Sequence, residues 1–235
     1  QPLSNWNTGA VTTMRGMFLG ASVFNQDVSN WNTGAVTNMQ QVFENAAAFN
    51  QDVSNWNTGA VTNIGDMFRK ARAFNQDISK WNTSAVTSMA GMFQLTNSFN
   101  ADISKWNTGA VTTMYQMFRY ARVFNCSLTT WDTGAVTTMS GMFASTNSFN
   151  ADISNWNIEK VTHMNSMFEN AKVFNSDISK WDTVGVAQMY QMFKDSNFTR
   201  TLCGGAWGTL EGDNNAFQYL GSSTARLGCC SPGTF

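Results

Sequence analysis

Carboxylates, hydroxyls and one imidazole are the groups in this 235-residue chain that could move protons, hold a cation or attack a substrate. Asp27, Asp52, Asp77, Asp102, Asp152 and Asp177 keep one register of 25 residues, with Ser127 in the place between Asp102 and Asp152. If such residues stack, neighbouring charges about 5 Å apart in water repel by roughly 0.8 kcal/mol. The row must therefore accept backbone hydrogen bonds, pair with Lys80, Lys105 and Lys180, or hold a cation. Calcium needs six or more oxygen ligands and a loop that supplies them. No stretch has EF-hand spacing, so a structural use of the carboxylates is favoured and no metal site is assigned.

His163 is the single histidine. With one imidazole, no zinc-ligand spacing, no phosphate loop and no distinct pair of carboxylates, neither triad, metal nor glycosidase chemistry is assembled. The chain is read as nonenzymatic and without a cofactor. All fourteen methionines fall in the columns of Met14 and Met17. Thioethers could bind a soft metal, but these share an apolar stripe with Phe18 and Ala21, which makes them core. Threonines at 12, 37, 62, 87, 112, 137 and 162 could present hydroxyls to ice. The adjacent row changes from Thr13 through Asn38, Asn63, Ser88 and His163 to Gln188, which spoils a crystal-matching face.

Positions that vary between copies are those that packing does not dictate. One column runs Arg15, Gln40, Gly65, Ala90, Tyr115, Ser140, Asn165, Tyr190; a second region holds Arg69, Lys70, Arg72, Arg119, Tyr120 and Arg122, with Glu44 and Glu169 at corresponding places. From these, Arg15, Gln40, Arg69, Lys70, Arg72, Tyr115, Arg119, Tyr120, Arg122 and Tyr190 form the expected binding face.

Such columns exist only if the chain repeats. Trp6, Trp31, Trp56, Trp81, Trp106, Trp131, Trp156 and Trp181 mark an uninterrupted period of 25. A unit that short cannot bury a core by itself and must stack on its neighbours. Met14, Met17, Phe18, Ala21 and Phe24 are spaced i, i+3, i+4, i+7 and i+10, which predicts a helix over about 14–22, capped by Thr12 or Thr13. A short strand is expected near 27–31, and Val36 to Met39 offer a second extended segment. The expected fold is an α/β repeat solenoid, an irregular leucine-rich-repeat-like stack with one short helix and one or two short strands per turn. The repeats span 1–198, and residues 199–235 form a Gly- and Cys-rich C-terminal cap. Structural columns are expected at Trp31, Trp56, Trp81 and Trp106, at Asn50, Asn75 and Asn100, and at Phe43, Phe68 and Phe93.

A formal net charge of −1 with 12% charged residues gives no support for binding nucleic acid. No apolar stretch approaches bilayer-spanning length. Gln1 in place of Met suggests a mature form. Cys203 is expected to pair with Cys229 or Cys230, reduced buried thiols being the alternative. Asn125-Cys126-Ser127 and Asn197-Phe198-Thr199 are glycosylation sequons.

The motif Phe74-Asn75-Gln76-Asp77-Ile78-Ser79, continued by Trp81, Val86, Met89, Met92 and Phe93, resembles the BspA-like surface-protein leucine-rich repeat family over about residues 3–198. That resemblance implies a secreted or cell-surface protein in adhesion or recognition. The expected function is thus nonenzymatic extracellular recognition, adhesion or scaffolding, with a protein or cell-surface glycan bound through the solenoid face. The alternative is a structural subunit of a coat, filament or membrane-associated complex, a homo-oligomer included.

Overall fold

The computed structural model describes residues 3–202 and 207 and, for the backbone alone, 226–227. Its named elements are a 3-10 turn, Leu3–Asn5, and two strands, β1 (Thr201–Leu202) and β2 (Arg226–Leu227), which pair in parallel. Residues 6–200 contain neither helix nor multi-residue strand; they are turns and irregular chain with single parallel bridges. This overturns the expected α/β repeat solenoid. Residues 14–22 are not a helix, 27–31 are not a strand, and between Val36 and Met39 only Asn38 makes a bridge.

The physical reason lies in two left-handed residues per turn. Gly16 and Gly20, Gln41 and Asn45, Asp66 and Lys70, and Gln116 and Tyr120 all have φ between 53° and 75°. A left-handed residue at every fourth position prevents the i→i−4 ladder of an α-helix. The N–H groups are instead shared between two other destinations. Those of Met17, Leu19 and Ala21 donate to carbonyls three residues back, while those of Met14, Gly16, Phe18 and Gly20 donate at 2.7–2.9 Å to Asn38, Gln40, Val42 and Glu44 of the following turn. Left-handed backbone costs a non-glycine residue about 1 kcal/mol or more. These paired bonds to the same segment offset it.

Successive turns of 25 residues thus lie against one another. The same inter-turn bond recurs from Thr37 to Thr12, Thr62 to Thr37 and onward to Thr162. Single bridges join Thr13, Asn38, Asn63, Ser88, Thr113, Thr138, His163 and Gln188 in series. The interior is a set of side-chain rows. Trp31 stacks on Trp56 and Trp81 on Trp106, centroids 6.3 Å apart and planes within 4°. Phe43, Phe68 and Phe93 stack at 5.6–5.9 Å, each paired within its own turn to Phe49, Phe74 or Phe99 at 3.7 Å. Burial of these rings is the main stabilising term. The indole N–H of Trp56 donates to the Val28 carbonyl and that of Trp81 to Val53. Leu202 and Trp207 are buried, and Trp207 donates in the same manner to Ile178.

Candidate functional site

The polar columns are largely occupied by the fold. Oδ1 of each of Asp27, Asp52, Asp77, Asp102, Asp152 and Asp177 accepts the N–H of the serine two residues on, at 2.8–3.0 Å. The backbone N–H and then the hydroxyl of that serine hold Asp27, Asp77, Asp152 and Asp177 below the usual carboxylate range; for Asp102 the Ser104 hydroxyl comes first. Asn25 accepts the Asn50 N–H, and the relation repeats through Asn50, Asn75, Asn100, Asn125 and Asn150. Threonine hydroxyls from Thr37 to Thr162 donate to the carbonyl one turn back at 3.1–3.2 Å. Among the described residues no group of three His, Cys, Asp or Glu side chains could hold a metal ion.

Two arginines in equivalent places depart from this regularity. Arg69 Nη1 meets Glu44 Oε1 at 3.0 Å, its Nε stands 4.0 Å from Asp66 Oδ1, and the other Glu44 oxygen accepts from Gln41 at 2.8 Å. Asp66 lies over Gly91, where a Cβ would be 2.2 Å from its Oδ1. Burial raises the Asp66 carboxyl above its ordinary range; Arg69 opposes the shift and Glu44 adds to it.

Arg119, two turns on, has no ion pair among the described residues. Gln94 stands where Glu44 stands and Gln116 where Asp66 stands, and the two amides bond to each other at 2.8 Å. The guanidinium carbon lies 5.2 Å from the Tyr120 ring centre, and its buried Nε has no hydrogen-bond partner. In the turn that follows, Gly141 and Ala144 occupy the places of Gly91 and Gln94. Gln116 leans over Gly141, where a Cβ would meet its Cγ at 3.1 Å. The result is a cleft of about 380 Å³ spanning three turns, lined by Tyr115, Gln116 and Arg119, then Thr138, Ser140 and Gly141, then His163, Asn165 and Ser166. His163 Nδ1 is 2.8 Å from the Thr162 hydroxyl. Asn165 donates to Gln188 and accepts from the Tyr190 N–H.

Of the expected binding residues, the structure brings Tyr115 and Arg119 to this cleft, with Tyr120 against Arg119. Arg69 belongs to the Glu44 cluster, while Arg15, Arg72, Arg122 and Tyr190 are exposed and Gln40 and Lys70 half-buried elsewhere along the turns. Gln116, Gly141 and Ser166 were not in that set; their column mixes glycine with amides and acids, which is its signal. Both sequon asparagines are exposed, and the Asn197 amide donates to the Lys172 carbonyl at 2.7 Å. Cys126 is a free thiol. The pairing expected for Cys203, Cys229 and Cys230 lies outside the described residues, and no disulfide occurs within them.

Comparison with known families gives a match to the family described as "Mycoplasma protein of unknown function, DUF285", over residues 1–104, 52–134 and 87–207. The chain belongs to this family. No curated protein and no solved structure matches it. Membership in DUF285 replaces the expected kinship with BspA-like leucine-rich repeat proteins, whose helix-and-strand turn this chain lacks. The functional expectation falls with it. Without an α/β solenoid there is no such face for recognition, adhesion or scaffolding, and the coat-subunit and ice-binding alternatives rested on the same architecture. Among the described residues no helix is long and apolar enough to cross a membrane.

Proposed function

We propose that this chain is a nonenzymatic binding protein that holds a small hydrogen-bonding solute in the cleft between Tyr115 and Ser166. The observation that carries the reading is the absence of a side chain at Gly141, around which residues of three adjoining turns line a common space. The volume falls within the range of small-molecule sites. The lining combines an arginine, an imidazole, two amides, hydroxyls and one half-exposed aromatic ring, the mixture that fixes a ligand's orientation.

The nonenzymatic part rests on what the cleft offers. A general acid–base reaction needs a second group to orient or answer the imidazole, and no carboxylate, thiol or amine lines the space beside His163. Its partner there is the Thr162 hydroxyl.

A fragment screen by amide-detected NMR tests the proposal. Ligands should move the resonances of Arg119, Ser140, Gly141 and Asn165 together, and Ser140→Tyr should abolish those shifts. Tyrosine is already carried in that column at Tyr115 and Tyr190, so the variant keeps a side chain the turn accepts. A screen in which no fragment perturbs these four amides would sink the reading.

A further inference from the structure

We infer that the solute is a singly charged carboxylate docked on Arg119, an inference that rests on the cleft being a binding site. The cleft is a place of uncompensated positive charge. No Asp or Glu lines it, and Arg119 has no ion pair among the described residues. Its equivalent Arg69 has Glu44 at 3.0 Å and Asp66 at 4.0 Å, and around Arg119 both acids are replaced by amides. Gln94 and Gln116 bond to each other, so the amide oxygen of Gln116 is taken. Glu169, the next acid in the arginine's own column, stands two turns away beyond Ala144. At about 4.8 Å per turn that separation is comparable with the Debye length in physiological salt, so it compensates Arg119 weakly.

Geometry narrows the anion further. The guanidinium carbon lies over the Tyr120 ring at 5.2 Å, a contact that restricts the side chain. A planar fork held in this way matches a planar carboxylate through two parallel N–H···O bonds. A single cation also matches a single negative charge better than a phosphate dianion. Thr138 and Ser140 line the same cleft and bring hydroxyls to it, and the half-exposed Tyr115 ring provides an apolar wall for the rest of the ligand.

The experiment uses matched pairs, phenylacetate with phenylacetamide and galacturonate with galactose, with phenyl phosphate as the alternative oxyanion. Each is titrated into the ¹⁵N-labelled chain while the cleft amides are followed. In at least one pair the carboxylate should bind roughly tenfold or more tighter than its neutral partner. Arg119→Gln, a side chain the same column already carries at Gln94, should reduce that preference to about twofold or less. Gln94→Glu offers an independent route, since it places a competing carboxylate beside an intact Arg119 and should weaken anion binding to a similar degree. Equal binding of anion and neutral partner, a preference that survives Arg119→Gln, or tighter binding of phenyl phosphate would overturn the assignment while leaving the cleft a binding site. Failure of every probe to move the cleft amides would overturn the binding reading itself.

Discussion

Arg69 and Arg119 occupy one position of the repeat, two turns apart, on backbones of the same form. Asp66 and Gln116 precede them by three residues at φ of 54° and 53°, and Lys70 and Tyr120 follow at 58° and 61°. Around Arg69 the side chains close the surface: Glu44 pairs with it, Asp66 fills the space over Gly91, and Gln94 continues the column. Around Arg119 the two acids become amides, which leaves a cation without an ion pair at the wall of a cleft. In this fold a site arises by deletion. The backbone bonds of each turn are complete without the outward side chains, so shortening one of them costs little and opens space at once.

Both arginines sit over the same packed interior, where the largest effects are expected. Phe68 and Phe118 are both fully buried and stacked in the same row. Phe68→Ala and Phe118→Ala should each destabilise by about 3–5 kcal/mol, and by the same amount to within about 1 kcal/mol, in urea unfolding followed by tryptophan fluorescence. A clear inequality would mean that the two regions are not packed alike. Exchanging the acid and the amide should then trade their properties. Glu44→Gln removes the charge that faces Arg69 from a buried position and should cost about 1–3 kcal/mol. Gln94→Glu places a charge at a position as buried as Glu44 and gives up the bond to Gln116, but Arg119 is there to pair with it, so it should change stability by less than about 2 kcal/mol while it suppresses carboxylate binding at Arg119. Loss of stability in both variants without loss of binding would break the parallel.

Much of the inward-facing set could be read in the sequence. The spacing of Met39, Val42, Phe43, Ala46 and Phe49 identified residues that are all fully buried. The backbone form could not be read from that spacing, because a run of three-residue turns points the same positions inward as an α-helix does. The discriminating signal was in other columns. Gly16, Gly20, Asn45, Asp66, Gly91, Gly141, Asn170 and Asp195 all have positive φ, and Gly, Asn and Asp are the types that tolerate it. Gln41, Lys70, Leu95 and Tyr120 hid the pattern, since nothing about those side chains announces a left-handed residue; inter-turn bonds impose it. The cleft was legible only in part. Tyr115 and Arg119 stood out as variable, but their meeting with Ser140, Gly141 and His163 depends on how columns adjoin, and that follows from the turns rather than from the period.

The smallest effect is electrostatic and separates the regions by sign. Asp66 is raised chiefly by burial, so the folded chain holds its proton more tightly than the unfolded chain does. Its contribution to stability is therefore present below the ordinary carboxylate range and is lost as pH rises through the raised folded value. The serine-bonded Asp27, Asp77, Asp102, Asp152 and Asp177 behave oppositely: their contribution is present above the unfolded value and is lost as pH falls through the depressed one. Asp66→Asn should consequently raise Tm relative to the parent at neutral pH and show little difference near pH 3. Gln116→Asn, in a cleft with no carboxylate, should displace Tm by the same small amount at every pH. Melting curves collected from pH 3 to 7 distinguish the two. A pH-independent offset for Asp66→Asn would mean that, with Arg69 beside it, its partial burial carries no electrostatic cost.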